Sequence, residues 1–419
     1  MFPTTKTLLF SLLARKTPSK FMFTRMGIDT LQNNSFHQDT SGLIPLVIIT
    51  SSWIPSQPPT ATIETKSFDS FLLECPNGIY TSARTISYSR ILALEKHFAR
   101  LAKSLDLYVN DDQSRKDRVE SKITEILGRE NSQAYKSVDF WRDALYPLIK
   151  MGLEKNRQKF LNDLHHDHVL DDSSNETPNE AKITISISVD PMIVRLHVCD
   201  LKLKDPKDQI IILNKGSRHN PTSKQISWVE ERKELEKLLT PRVNEVVLYD
   251  PESFHCTEGL SSNFFVVERL PQNEISSANP TSTNLQNNPE KSSISKSDGS
   301  QSSSISSTGT PDIEYLTKSF RVATSPPSTV LMGTIMQLVI KVCEDDGIKI
   351  SYTSPSISDL QTDQWVGAFI TSTSRLVLPI ETVRLRDRNS ELRIGSNMLV
   401  QHIKNRVEEL AKQDSAKVL

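Results

Sequence analysis

The chain has 419 residues, of which 37 % are hydrophobic, enough for two or three domains with buried cores. Its 50 basic and 51 acidic side chains leave a net charge of −1, which argues against a general nucleic-acid binder, whose footprint is a basic excess. The four cysteines, Cys75, Cys199, Cys256 and Cys343, have neither metal-ligand spacing nor the density of a disulfide framework and fit a reducing compartment, and no apolar run approaches the ~18 residues of a membrane span.

From Met1 to Ile28 there is no acidic residue, while Lys6, Arg15, Lys16, Lys20 and Arg25 are basic and the stretch from Leu8 to Ala14 is apolar. A mitochondrial presequence has this composition; a secretory signal would need a cleaner small-residue cleavage site, and a plain extension is the third reading. Residues 1–42 are therefore set aside as a basic extension, with a cytoplasmic or mitochondrial location expected. Leu43 to Ile49 reads as a strand with an early proline, followed by a loop carrying Pro55, Pro58 and Pro59. Ser70 to Glu74 is a short strand candidate, Pro76-Asn77-Gly78 a turn, and Ile79 to Ser87 an alternating strand. Leu94, Phe98, Leu101 and Leu105 recur at helical spacing and predict a helix from Leu94 to Leu107, with His97 and Arg100 on its flank. Helices are expected from Arg115 to Leu127 and from Val138 to Leu153, then a polar loop from Asn162 to Glu180. Ile183 to Val189 and Val194 to Leu203 carry β signal.

In the second half, Ile210 to Leu213 reads as a buried strand and residues 214–221 as a loop. Ile226 to Leu239 reads as helical and Asn244 to Tyr249 as a strand. Thr257-Glu258-Gly259-Leu260-Ser261-Ser262-Asn263 puts an acid on a turn that enters the apolar run Phe264 to Val267. Alone, this is an ordinary polar turn; an acid beside Gly, two Ser and Asn also suits an active-site turn. Pro271 to Pro311 is Ser, Thr, Asn and Gln with almost no large apolar residue. It cannot bury enough surface to offset its ordering entropy and reads as a disordered insertion within one domain. Val330 to Asp346 is an expected helix stopped by Gly347. Ile348 to Tyr352, Trp365 to Thr371 and Leu376 to Ile380 are expected strands, and Asn397 to Gln413 a terminal helix. Two regions that each mix strands and helices imply an α+β or mixed α/β enzyme with a cleft between domains.

Several stretches, in order, resemble the class IV aminotransferases, the fold-type IV pyridoxal-phosphate enzymes that include branched-chain and D-amino-acid aminotransferases and aminodeoxychorismate lyase. They are Gly78 to Arg84, His97-Phe98-Ala99-Arg100-Leu101, Lys224, Glu245-Val246-Val247-Leu248, Thr257-Glu258-Gly259 with Ser261 to Phe265, Val330 to Gly333, and Phe369 to Ser374 closing at Pro379. The resemblance runs from about residue 70 to 380 apart from the serine-rich insert. It implies a two-domain D-amino-acid aminotransferase-like fold. The small α/β domain would span 43–205 and a larger cofactor-binding domain 206–419, interrupted at 271–311 by the insertion. It also implies a homodimer and a small amino acid with its 2-oxo acid as substrates; the charge balance and the lack of a long apolar run lead to no expected nucleic-acid or membrane partner.

By that resemblance Lys224 is the Schiff-base lysine, an amine that must deprotonate, join the aldehyde of pyridoxal 5'-phosphate and shuttle a proton at the substrate α-carbon. Lys215 in the same loop is its rival, and a lysine here would otherwise be a solvated charge. Glu258 corresponds to the carboxylate that keeps the pyridine nitrogen protonated, and Arg100 to the arginine on the cofactor phosphate, where a permanent bidentate cation suits an oxyanion. Ser372 and Thr373 hydroxyls with the Thr334 and Ile335 amides at a helix start would complete the phosphate cup. The order Gly333-Thr334-Ile335 departs from the usual Gly-Ile-Thr, which amide contacts survive and a hydroxyl contact would not. Tyr80 corresponds to a tyrosine near the reacting atoms, and Arg84 is a weaker candidate for a substrate carboxylate. The main departure is Leu73 to Gly78, where many members carry an Arg-Gly-x-x-x-Gly-Asp-Gly run that shapes the substrate pocket. The expected activity is a transaminase; a lyase of the aminodeoxychorismate type, towards which Tyr80 to Thr85 leans, and a catalytically inactive protein on the same fold stand beside it.

Overall fold

A computed structural model describes residues 44–53, 58–166, 180–201, 209–271, 313–388 and 390–419. The basic extension and all but the first residue of the expected serine-rich insertion lie outside the described residues, as do 167–179 of the expected polar loop.

The first half contributes strands β1 (Ile44–Ser52), β2 (Thr60–Lys66), β3 (Gly78–Ile86), β4 (Arg90–Leu92), β5 (Ala181–Val189) and β6 (Met192–Asp200). Its helices are α1 (Phe68–Leu73), α2 (Leu94–Asn110), α3 (Gln113–Leu127) and α4 (Val138–His166). Each strand that alternates in sequence packs one face on α2 and α4. Leu94, Phe98, Leu101 and Leu105 of α2 join Trp141, Leu145, Ile149 and Leu153 of α4 in a core against Ile183, Ile185, Ile187 and Val198.

The second half contributes β7 (Ile210–Lys215), β8 (Val243–Tyr249), β9 (Cys256–Gly259), β10 (Asn263–Arg269), β11 (Phe320–Thr324), β12 (Lys349–Ser351), β13 (Trp365–Ser372), β14 (Leu376–Ile380), β15 (Thr382–Leu385) and β16 (Ser390–Arg393). With them come α5 (Ser227–Glu231), α6 (Lys233–Glu236), α7 (Ile313–Ser319), α8 (Thr334–Asp345), α9 (Ile357–Gln361) and α10 (Met398–Gln413). These strands form a ten-stranded mixed sheet in the order β12-β11-β10-β9-β8-β7-β15-β16, with β13 added against β10 and β14 against β13. The last strand, β17 (Ser415–Lys417), returns to the other sheet and pairs antiparallel with β4, closing the seven-stranded order β17-β4-β3-β5-β6-β1-β2.

Four sequence expectations change. Ser70 to Glu74 is not a strand: it lies in and just after α1, whose N-terminus is capped by the Ser67 hydroxyl accepting from the Ser70 amide, and whose Phe71 and Leu72 are buried. Ile226 to Leu239 folds as two short helices, α5 and α6, rather than one. The helix expected from Val330 begins only at Thr334, because Gly333 is extended (φ −64°, ψ 149°) and serves as its N-cap. The α4 helix continues past Leu153 to His166, so residues 162–166 are helical rather than loop.

Candidate active site

One cavity of about 270 Å³ opens between the two sheets and is lined by Tyr80, Arg84, Arg100, Lys224, Glu258, Thr334, Ile335, Ser372 and Thr373, all read from the sequence as site candidates. Lys215 does not line it. On β3 the period of two sends Tyr80, Ser82 and Arg84 to the cavity, and on the other face Thr81 meets α2.

Lys224 is held by its backbone. Its carbonyl accepts from the Tyr80 amide at 3.0 Å and its own amide donates to the Ser104 hydroxyl at 3.2 Å. The side chain lies across the Tyr80 ring, Nζ 4.6 Å from the centroid. Burial, followed by the cations Arg100, Arg218 and Arg232, holds the Lys224 amine well below the ordinary lysine range; Glu258 pulls the other way.

Glu258 stands at the end of β9 rather than on the turn, opposite Asn263 in a tight hairpin. Its Oε2 accepts from the Leu331 amide at 3.2 Å; its Oε1 is buried with no hydrogen-bond partner, and lies 3.7 Å from the Arg218 guanidinium. Burial raises the Glu258 carboxyl, and Arg218 opposes that rise. The hairpin is fixed from below by Glu245, whose Oε2 accepts from the Ser261 and Ser262 hydroxyls at 2.9 Å each and from Arg375 at 3.3 Å. Gly259 is required there: a Cβ would stand 2.3 Å from Ser262 Oγ and 2.7 Å from Glu245 Cγ.

At the other end, the N-terminus of α8 meets the β13–β14 turn. The first intrahelical bond of α8 runs from the Gln337 amide to the Gly333 carbonyl at 3.1 Å, so the Thr334 and Ile335 amides have no helical acceptor, and no side chain caps them. The Thr371 hydroxyl beside them is buried without a partner. A Cβ on Gly333 would stand 2.3 Å from Asn263 Oδ1, and the Asn263 amide in turn donates to the Leu331 carbonyl at 2.7 Å. Thr373 donates to the Ser82 carbonyl at 3.1 Å, tying the turn to β3.

Arg100 reaches the cavity from α2. Its Nε donates to Thr81 Oγ1 at 3.2 Å and its Nη2 to His97 Nδ1 at 2.8 Å, and among the described residues it has no carboxylate partner. Burial lowers the guanidinium to about 10, leaving it charged at neutral pH. His97 is driven well below the ordinary histidine value by burial and then by Arg100, so it is neutral and accepts at Nδ1. Arg84 donates from Nη1 to the Ser374 carbonyl at 3.2 Å and from Nε to the Thr85 carbonyl at 3.3 Å.

No family model and no curated protein matches the chain in sequence. Solved structures do match it. One is the branched-chain amino acid aminotransferase of Thermobaculum terrenum in its PLP form, at a TM-score of 0.50 and 11 % identity over 88 % of this chain and 95 % of that one. Another is the T.th. branched-chain amino acid aminotransferase with pyridoxamine 5'-phosphate, at a TM-score of 0.50 and 12 % identity over 90 % of this chain and 100 % of that one. The chain has the class IV aminotransferase fold. Within that fold the cavity contains groups the sequence did not single out. Arg218 faces Glu258 and sits 5.4 Å from the centroid of the Trp228 ring, whose Nε1 donates to the Leu260 carbonyl at 2.9 Å. Arg232 pairs with Glu236 at 2.8 Å and Asp69 at 3.5 Å. Lys182 lies in the wall made by the seven-stranded sheet. Arg218 follows Lys215 by three residues in a stretch read only as loop, and nothing in its spacing separates it from a solvated charge.

Proposed function

We propose that the chain is a pyridoxal-phosphate-dependent aminotransferase acting on a small amino acid and its 2-oxo acid. The observation that carries this reading is the pairing, across one cavity, of a deprotonation-prone Lys224 amine with a buried Glu258 oxygen that lacks a partner, in a cavity that also holds a helix N-terminus with free amides. These fit the cofactor at both ends. The orphan Oε1 suits a protonated ring nitrogen, and the uncapped Thr334 and Ile335 amides, with Arg100 and the Thr371 and Ser372 hydroxyls, suit a phosphate, while the Thr373 hydroxyl is spent on the Ser82 carbonyl. When bound, the group supplies an electrophilic aldehyde and an electron-withdrawing ring.

The residues then have separable tasks. Glu258, whose carboxyl is raised by burial and drawn back by Arg218, would face the ring nitrogen and hold a proton there. Arg100, steadied by Thr81 and neutral His97, would bind the phosphate. Lys224, its amine held well below the ordinary lysine range by burial and then by three arginines, would take the proton from the substrate α-carbon and return it two atoms away, on the far side of the transferred nitrogen. Tyr80 fixes the amine by its ring, and Arg84 receives the substrate α-carboxylate. A homodimer is the expected assembly.

Purified protein given an amino acid and a 2-oxo acid should exchange the amino group between them. Pyruvate release without exchange would instead identify the lyase, and uptake of no cofactor would identify an inactive protein on this fold.

A further inference from the structure

The cavity contains more cations than the proposed reaction uses. Its lining includes Arg84, Arg100, Lys182, Arg218, Lys224 and Arg232 against the carboxylates Asp69, Glu236 and Glu258. Arg232 is paired with Asp69 and Glu236, and Arg218 faces Glu258. In the reading above Arg100 takes the phosphate, Lys224 is the reacting amine and Arg84 takes the α-carboxylate. Lys182 is left over.

Lys182 lies on β5 and projects from the face of the sheet that carries Arg84, its direct partner across the β3–β5 ladder. Like charges directly opposite in a ladder are destabilising. Neither side chain has a carboxylate at ion-pair distance among the described residues. The Lys182 ammonium instead stands 3.8 Å from the centroid of the Phe68 ring, and Phe68 also lines the cavity. A cation–π contact holds a cation but does not neutralise it. Burial lowers Lys182, and the charges near it oppose one another, Asp69 raising it and Arg232 lowering it. Glu180 and Glu408 act on Arg84 from beyond ion-pair distance; the Lys182 ammonium, held only by a ring, is a second cation beside the guanidinium assigned to the α-carboxylate and favours a second anion.

We infer that Lys182, beside Arg84, forms a subsite for a second anionic group on the substrate, so that the chain selects amino acids and 2-oxo acids with an acidic side chain over apolar ones. This rests on the proposed aminotransferase reading and adds the substrate class to it. Phe68 would steady the ammonium and pack against the methylenes between the two carboxylates.

The test uses the full chain loaded with pyridoxal 5'-phosphate and two unreactive acids of equal length, glutarate and pentanoate, titrated calorimetrically. The wild type should prefer glutarate by about 10- to 100-fold, the scale of one buried charge-assisted contact. That preference should collapse towards unity in Lys182→Met and in Lys182→Gln and largely persist in Lys182→Arg. In turnover, Lys182→Met should raise KM for 2-oxoglutarate with a much smaller change in kcat. A loaded wild type that binds the two acids equally, with no variant needed, overturns the subsite and leaves the aminotransferase reading standing. A preference unchanged in Lys182→Met does the same. A wild type that acquires no visible cofactor band overturns both.

Discussion

The two walls of the cavity are made differently. The wall from the second half holds its functional groups through backbone and short turns: Glu258 is bonded to the Leu331 amide, α8 begins at Gly333, and the Ser372–Thr373 turn is tied to β3. The wall from the seven-stranded sheet presents long side chains, Tyr80, Arg84 and Lys182, on a strand face. The first wall suits a group that stays, since fixed amides and a buried carboxylate need no reorganisation; the second suits a group that comes and goes. Lys224 sits between them, its carbonyl bonded to β3 and its amine between the two.

The largest effects should therefore come from the reacting groups. Lys224→Ala should reduce amino transfer by about 10²- to 10⁴-fold, measured by turnover at saturating substrates. Glu258→Gln keeps the shape and loses the charge, and should lower kcat by about 10²- to 10³-fold with a smaller loss of cofactor affinity. Equal losses in both would mean that Glu258 only holds the cofactor. A smaller effect follows at the rigid wall: Gly333→Ala places a Cβ against Asn263 Oδ1 and should cost about 1–3 kcal/mol, seen as weaker retention of the cofactor on dialysis. If retention is unchanged, the α8 N-terminus does not hold the phosphate.

The smallest effect is on stability, and its sign is opposite. Burial holds the folded Lys224 amine well below the ordinary lysine range, so between its lowered folded value and the ordinary value of 10.5 the unfolded state binds more protons. Cofactor-free protein should thus gain stability as pH rises through that window. Lys224→Met removes the penalty, so it should melt higher than the wild type near neutral pH, with the gap closing towards the ordinary lysine value. Equal midpoints at every pH would mean that the amine is not desolvated.

How much of this was legible follows the same division. Lys224, Glu258, Arg100 and the Ser372–Thr373 turn could be read from ordered short runs, because a fixed wall requires particular residues at particular places along the chain. Of the other wall, Tyr80 and Arg84 could be read from the run Gly78 to Arg84, but Lys182 could not. Lys182 reads as a lysine flanking an ordinary strand, and its place in the cavity comes only from the β3–β5 register and the packing of Phe68 at the start of α1. The α1 helix is hard to read for a local reason: the five residues Ser70 to Glu74, with two buried apolar positions, fit a strand as well as a helix until the Ser67 cap is seen. The edge strand β2 escaped notice since its Thr, Glu and Lys side chains lie at a sheet margin with Ile63 exposed, leaving little alternation to read. The helix α8 was found, but its start was placed early, because Gly333 looks like a helix residue until its extended backbone is known.

The central claim is that one amine in this cavity holds the cofactor. Protein incubated with pyridoxal 5'-phosphate, reduced with borohydride and digested for peptide mass analysis should carry the modification on Lys224 alone, and the Lys224→Ala variant should carry none. Modification on Lys215 or Lys182, or spread evenly over surface lysines, would contradict the account.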